Sequence, residues 1–516
     1  MSYRTIILAT FIWVCQMTNA QDLSGRVLHG NCMVDHDGHT RSTVTRAIEF
    51  DNQWDSLRIY RQMVVLVSFS DKDFLEENGP EAYDHIFNEN RYNRRNGPGC
   101  VADYFRYQSD GRFNLQFDIY GPVKVSAVAA AGNGEDRFYG DHIFAEAIQL
   151  LAAKQPELDC SPYDWDSDGT VDQVIIVYAG FSGNQKGYES YIWPNTWSMA
   201  EVTMPDGIKV KDYSASAELW TSKVSCGIGM ICHEYSHCLG LPDIYPTIES
   251  SWTNSVVDEW DLMDNGTISN YGWCPPNYSA LEKILLGWLE PIELTKDTVI
   301  TDMKPTAEGG EVYMIKHTDD EYYLLENRMW KGWDTSLPGQ GLLIWHVNYN
   351  DYLWRANIIN NEEGMPRYHL VSADNLDYNA WVELYNSRGG GYPYQNKSMM
   401  NSNYLSSAAY PWATDSTDFV NNELTDSSIP AAIMYNRNAK GNKLLSKPIT
   451  EITRHADGTI SFVFHASTPD GLITTSAISH QPSTIYTLTG RKIQPEAINC
   501  LPKGIYIING EKSIIK

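Results

Sequence analysis

The pattern of apolar and polar residues divides the chain near residue 290. Before that point, continuous apolar runs of strand length alternate with segments whose apolar residues recur at helical spacing. The first strong run lies within RQMVVLVSFSDKDF, which places the start of a domain near residue 60. This alternation predicts an α/β (α+β) domain over residues 61–290. Its predicted elements are a buried strand at 63–69, helices at 83–87 and 142–153, a strand at 174–178 and a helix that carries two histidines.

After residue 290 the pattern changes to short strands separated by turns. The strand-like segments are TVITDM, VYMIKH, EYYLLENR, GLLIWHV and TISFVFHA. They predict a β-sandwich-like domain over residues 291–466. A stretch rich in Asn, Ser and Tyr reaches to about residue 445 and predicts extended loop or poor order. Residues 467–516 open with a polar STPDG linker and predict a short β tail at the carboxyl end.

The amino terminus has the features of a secretory signal. One cation, an apolar core and small residues before Ala20 predict a signal peptide at residues 1–20. A lipoprotein signal that uses Cys15 ranks second, because Val14 is bulkier than the residue usual there. Residues 21–60 show little periodicity and are interpreted as an N-terminal segment, with a short propeptide as one role. No later run reaches the roughly 18 apolar residues that span a bilayer, so we expect a secreted or cell-surface protein.

Charge and cysteine content narrow the classes of partner. The 516 residues include 39 Lys and Arg against 65 Asp and Glu, a net charge of -26. Nucleic acid and anionic membranes are therefore poor partners. The nine cysteines have no regular spacing, so they do not imply a disulfide framework.

The segment ICHEYSHCLGLPDIY carries the strongest candidate chemistry. On a helix, His233 and His237 lie about 40° apart on one face, so both imidazoles can bind one ion, and Glu234 lies beside them. Gly240 can adopt positive φ and end the helix, which lets Asp243 return a carboxylate to the same ion. The alternative is a capped helix with ordinary polar residues. Three protein ligands with a fourth position open to water are typical of catalytic zinc.

The same segment and several others resemble the immune inhibitor A family of zinc metallopeptidases, which is of the metzincin type. The other segments are DWDSDGTVDQVIIVYAG, WDLMDNG, LEKILLGWL, EYYLLENR and PGQGLLIWHVN, and the resemblance covers residues 60–466. It implies a metzincin-like catalytic domain, protein or peptide substrates and zinc bound by His233, His237 and Asp243. Glu234 is implied as the general base and Met263 as the methionine of a turn beneath the metal.

The resemblance has two departures. Asn265 stands where the family usually has an aromatic residue after the methionine turn, so Tyr271 is only a candidate for stabilising the oxyanion. Asn348 stands where the family commonly has Asp, which weakens a secondary cation site. If Asp243 is not the third ligand, Glu282 is the next candidate.

An acidic loop precedes the predicted strand at 174–178. Its alternate positions match the first nine positions of a calcium loop, but position twelve is isoleucine, so it is not an EF-hand. Clustered carboxylates repel one another unless a cation neutralises them, which favours Ca²⁺ over an acidic turn. The predicted calcium ligands are Asp164, Asp166, Asp168, Thr170 through its carbonyl, and Asp172.

The remaining cysteines have more than one interpretation. Cys32 lies among three histidines and could occupy the fourth zinc position in a latent form, or help bind a separate metal. An exposed tail is the more probable alternative, because the spacing matches no strong template. Cys226, Cys232 and Cys238 lie in or next to the predicted zinc helix and are interpreted as small core residues.

The tail at 467–516 resembles the sorting domains of type IX secretion, which implies the secretion machinery as a partner; a small β appendage is the alternative.

The combined prediction is a secreted zinc-dependent endopeptidase that uses Zn²⁺ and Ca²⁺. The alternative function is a surface protein that binds proteins or glycans and retains a metallopeptidase fold.

Overall fold

The computed structural model describes residues 54–130, 139–185, 187–248, 256–376, 405–413 and 420–467, and the backbone of four strands between 485 and 515. These parts are a mixed α/β structure with several sheets and few helices, which agrees with the predicted fold class at that level. No helix of the described residues is long and apolar enough to cross a membrane.

Five strands before residue 290 form one sheet, in the order β2-β1-β3-β5-β4. They are β1 (Ile59–Ser68), β2 (Asn114–Lys124), β3 (Val174–Tyr178), β4 (Asn195–Thr203) and β5 (Lys209–Ala217). The first four in that order are parallel, and β4 runs antiparallel at the edge. A short hairpin, β6 (Leu219–Thr221) and β7 (Val224–Ser225), follows β5.

Helices cover both faces of this sheet. They are α1 (Pro80–Asn88), α2 (Val101–Gln108), α3 (Asp141–Lys154), α4 (Gly229–Cys238) and α5 (Ala280–Leu285), while α6 (Asp351–Arg355) belongs to the second half. Successive residues of a strand point to opposite faces. Val64 and Leu66 of β1 therefore lie in the core cluster with α1, α2 and α4, and Val65 and Val67 lie in the cluster with α3. Burial on both faces explains the continuous apolar runs of β1 and β3.

The second half contains two further sheets. Its strands are β8 (Ile292–Glu293), β9 (Thr298–Met303), β10 (Tyr313–Lys316), β11 (Glu321–Arg328), β12 (Gly341–Asn348), β13 (Tyr368–Leu370), β14 (Trp412–Ala413), β15 (Val420–Asn421), β16 (Ile449–Arg454) and β17 (Ile460–Phe464). One sheet has the order β13-β12-β11-β10-β8 and the other the order β16-β17-β9. The two sheets share one apolar core. A small pair, β14 and β15, is separate.

The apolar core crosses the predicted boundary at residue 290. In β11, Tyr323 and Leu325 face the core between the two later sheets, whereas Leu324 lies in the cluster that also holds α4. Trp345 of β12 lies in that same cluster. The second half therefore packs directly against the half that carries the histidines.

Several elements were not predicted from the sequence. α2, β2, β4 and β5 are half-exposed or polar on one face, so their apolar signal is weak. In the Asn-rich stretch, residues 377–404 and 414–419 lie outside the described residues. The described part of that stretch contains β14 and β15.

The tail forms four strands in the order β19-β18-β20-β21. These are β18 (Ile485–Thr487), β19 (Lys492–Ile493), β20 (Gly504–Ile508) and β21 (Glu511–Ile515).

A buried ion pair in the second half is hydrogen-bonded to Asn277 of the first half. The guanidinium of Arg328 donates two hydrogen bonds to Asp334, at 2.6 and 2.8 Å, and one to Glu326 at 3.2 Å. It also donates to the backbone oxygen of Asn277, whose N–H donates to Asp334. All these groups are buried, so each charge depends on its partner.

We expect Asp334→Ala to lower the free energy of unfolding by about 3–5 kcal/mol, because it leaves the charge of Arg328 buried with one fewer partner. Glu308→Ala is the control: Glu308 pairs with Lys331 at 2.8 Å, but the two side chains are 47% and 35% exposed. Such a pair contributes about 0–1 kcal/mol. Urea unfolding followed by circular dichroism measures both variants, and equal losses would contradict this account of the ion pair.

Candidate metal centre

Helix α4 carries both histidines and is buried along its whole length. Its start approaches the backbone of Thr267 so closely that a Cβ on Gly229 would lie 2.2 Å from the Thr267 carbonyl oxygen. The helix ends at Cys238, and Gly240 follows with φ +90°. This is the left-handed conformation that glycine adopts without strain, and it turns the chain toward Asp243 as predicted.

Two backbone carbonyls orient the imidazoles. His233 Nδ1 lies 2.8 Å from the Leu262 oxygen, and His237 Nδ1 lies 2.7 Å from the Leu241 oxygen. A carbonyl can only accept a hydrogen bond, so in both rings Nδ1 carries the proton and Nε2 is the atom suited to bind a metal. The ring centroids are 4.9 Å apart.

Asp243 completes a group of three ligand atoms. Its Oδ1 lies 3.2 Å from His233 Nε2 and 3.4 Å from His237 Nε2. The three residues are buried, and each offers one ligand atom within 4.8 Å of the others. Oδ1 accepts no hydrogen bond, whereas Oδ2 accepts one from Asn357 Nδ2 at 2.7 Å.

The electrostatics of this group fit a cation. Burial by itself lowers the pKa of His237, but the Asp243 carboxylate outweighs it and raises that pKa to about 9. Burial raises the pKa of Asp243, but the charge of His237 and the close approach of both imidazoles hold it well below its usual range. Three lone pairs that converge in a dry interior need a proton or a metal ion between them. Two imidazoles and a carboxylate are ligands that suit zinc.

Glu234 lies on the same helix as the histidines, and its carboxylate is buried. Thr196 of β4 donates a hydrogen bond to Glu234, 2.6 Å from the backbone oxygen and 3.1 Å from Oε2. Thr196 was not predicted as a site residue, because β4 was not predicted and a single threonine forms no pattern. The edge strand thus orients the carboxylate predicted to be the base.

Met263 lies in a turn that contacts two of the ligand segments. The side chain is fully buried, and its N–H donates to Asp261 Oδ1 at 2.8 Å. The Met263 oxygen accepts the N–H of Ile244, next to Asp243, at 2.8 Å. The preceding carbonyl, that of Leu262, is the one that orients His233. The turn therefore positions the first and the third ligand together.

The two further candidates lie elsewhere. Tyr271 is 44% exposed, and its ring lies 5.6 Å from that of Trp220. Its role in stabilising an oxyanion stays a prediction. Glu282 accepts two hydrogen bonds from Ser279 at the start of α5 and is not part of the three-residue group. The structure therefore does not favour Glu282 over Asp243 as the third ligand.

The acidic loop brings together part of its predicted ligand set. Asp164, Asp166 and Asp172 each offer one carboxylate oxygen within 4.8 Å of the others. Asp168 is not in that group and accepts the N–H of Thr170 at 2.9 Å. Gly169, with φ +86°, makes the sharp turn. Backbone N–H groups also donate to Asp164 and Asp172, as in an ordinary acidic turn.

The described cysteines are free thiols. Cys232 and Cys238 lie in α4 and are buried in the core, as interpreted from the sequence, and burial raises the pKa of both thiols. Cys226 is partly buried, and burial raises its pKa to about 12. Cys32 and the predicted signal peptide lie outside the described residues.

Comparison with known proteins places this site in a recognised segment. Residues 39–283 match the model of the immune inhibitor A peptidase M6 catalytic domain. The chain is 22% identical over 325 residues to pre-pro-metalloprotease PrtV of Vibrio cholerae, which covers 54% of this chain and 34% of that protein. It is 23% identical over 270 residues to immune inhibitor A of Bacillus thuringiensis subsp. alesti, and this alignment covers 43% of this chain and 38% of that protein. The chain thus spans little more than a third of the length of these relatives. Together the similarities support an immune inhibitor A-like metallopeptidase.

Proposed function

We propose that the protein is a zinc-dependent endopeptidase that hydrolyses peptide bonds in protein substrates. The observation that carries this proposal is the convergence of His233 Nε2, His237 Nε2 and Asp243 Oδ1 in one buried group, with Glu234 on the same helix. Similarity to proteins named as metalloproteases supports the same class of reaction. The metzincin type remains a prediction that rests on the sequence motif.

The roles of the residues follow from their positions. His233, His237 and Asp243 would hold the zinc ion, which when bound would supply the Lewis acidity for attack of water on a peptide carbonyl. Glu234 accepts the proton of the attacking water and passes it to the leaving amine. Thr196 shares its one hydroxyl proton between the Glu234 backbone oxygen at 2.6 Å and Oε2 at 3.1 Å, which restricts the movement of this carboxylate.

We expect Glu234→Gln to retain zinc and the fold while turnover falls by at least ~10²- to 10⁴-fold, because the amide cannot accept the proton. Cleavage of casein or a peptide library measures turnover, and metal analysis checks zinc. Glu293→Gln is the control, because Glu293 is exposed and pairs only with Lys316 at 3.3 Å. Retained activity in zinc-loaded Glu234→Gln would exclude this mechanism. A wild-type protein that binds zinc and cleaves no substrate would favour the binding function instead.

We also propose that the loop at 164–172 binds Ca²⁺, with Asp164, Asp166, Asp168, Asp172 and the carbonyl of Thr170 as ligands. The proximity of three of these carboxylates supports the proposal, because a cation would relieve their repulsion.

Calcium is expected to raise the melting temperature, because a ligand that binds only the native state stabilises it by mass action. The double variant Asp166→Ala with Asp168→Ala should lose this response. Asp159→Ala is the control. Asp159 is exposed, and its carboxylate accepts hydrogen bonds from the N–H and the hydroxyl of Ser161. The measurement is thermal melting in a calcium chelator that spares zinc, and identical curves with and without calcium would rule the site out.

We propose, further, that the protein is exported through the signal at residues 1–20 and that residues 467–516 direct a type IX secretion step. The resemblance of the tail supports this, as does the pairing of its strands with one another in one sheet. No predicted ligand or base lies in the tail.

Deletion of residues 467–516 is expected to leave an active protease that accumulates before the last secretion step in a host with the type IX machinery. Cell fractionation with an activity assay measures this. The same tail fused to an unrelated exported protein should carry it to the surface or the medium. Normal secretion of the truncated enzyme, or its failure to fold, would instead favour a structural β appendage.

A further inference from the structure

A segment of the second half contacts the loop that carries the third ligand. After α6, residues 357–361 lie against residues 240–247, which connect α4 to the later part of the site. Hydrogen bonds between the two segments, besides those of Asp243, include Thr247 Oγ1 to the Asn357 oxygen at 2.6 Å, Asn360 Nδ2 to the Ile244 oxygen at 2.7 Å, and the Thr247 N–H to Asn361 Oδ1 at 2.8 Å. Trp354 Nε1 of α6 also donates to the Gly240 oxygen at 3.1 Å.

Asn357 bonds to Asp243 with both ends of its amide. Its Nδ2 donates to Asp243 Oδ2 at 2.7 Å, and its Oδ1 accepts the N–H of Asp243 at 2.6 Å. The side chain is buried, and the backbone has φ +56°, a conformation that asparagine tolerates better than most residues. Only a side chain with a donor and an acceptor side by side can make this pair of bonds.

The pair of bonds decides which oxygen of Asp243 faces the histidines. His233 and His237 are held by a helix and by backbone carbonyls, whereas Asp243 lies in a loop without regular secondary structure. With Oδ2 bonded to Asn357, rotation of the carboxylate is blocked and Oδ1 stays directed at both Nε2 atoms. Partners of this kind orient metal ligands and raise their affinity.

We propose that Asn357 is a positioning residue of the metal centre, so that the second half of the chain completes the site. This inference rests on the proposed function, since it takes Asp243 as the third ligand. Asn357 lies 74 residues beyond the end of the matched catalytic segment, at residue 283. Residues 61–290 alone therefore contain all the ligands but lack the group that orients one of them.

The test is the zinc affinity of the full chain, measured by competition with a chromophoric chelator. Asn357→Gly keeps the left-handed backbone free of strain and removes both bonds to Asp243. Asn357→Ser removes the same pair with a different side chain. We expect each to weaken zinc binding by about 10- to 100-fold.

Asn350→Ala is the matched control. Asn350 caps α6 through a 2.9 Å hydrogen bond from the Leu353 N–H. Its loss weakens the start of the helix that precedes Asn357. We expect it to leave zinc affinity unchanged, and all variants are titrated well below the melting temperatures of their metal-free forms.

The outcomes separate the positioning role from the proposed function. Wild-type zinc affinity in folded Asn357→Gly or Asn357→Ser overturns the positioning role, as does an equal loss in Asn350→Ala. Asp243→Ala is the benchmark for the ligand itself. If Asp243→Ala also keeps wild-type affinity, or if the wild-type chain binds no zinc, the proposed function fails with it.

Discussion

The constraint on which the structure depends is the convergence of three metal-binding atoms in a dry interior. Lone pairs of two imidazoles and a carboxylate cannot face one another there unless a cation or a proton lies between them. The protein holds them in this arrangement by bonding the other end of each ligand. His233 and His237 each bond to a carbonyl, and Asp243 bonds to an amide. Because these second bonds are short and buried, the ligands have little freedom to separate.

Both halves of the chain contribute groups that support the site, and the bond from Asn357 to Asp243 links them. The turn at Met263 positions His233 through one carbonyl and the segment of Asp243 through the next. Strands β11 and β12 contribute apolar side chains to the same core cluster as α4, and Arg328 adds a buried ion pair at the junction. A site that needs positions accurate to a fraction of an ångström is best placed on such rigid support.

The sequence predicted the elements whose apolar residues form a long run or a clear helical period. Strands β1 and β3 and helix α3 have long apolar runs or clear helical periodicity, and they were located within a few residues. Strands β2, β4 and β5 and helix α2 were not, because their exposed or polar faces dilute the pattern. Helices and strands alternate before residue 290 and strands predominate after it, but periodicity cannot reveal that one core crosses this position.

By itself, the sequence determined the local geometry of the site. The spacing of His233, Glu234 and His237 on a helix, with Gly240 to end it, needs no information from other parts of the chain. Only the tertiary structure decided what holds these groups. Thr196 is 38 residues from Glu234, and Asn357 is 114 residues from Asp243. A single hydrogen bond between residues far apart in the chain leaves no periodic or compositional pattern in the sequence. Such bonds are therefore seen only in the folded structure.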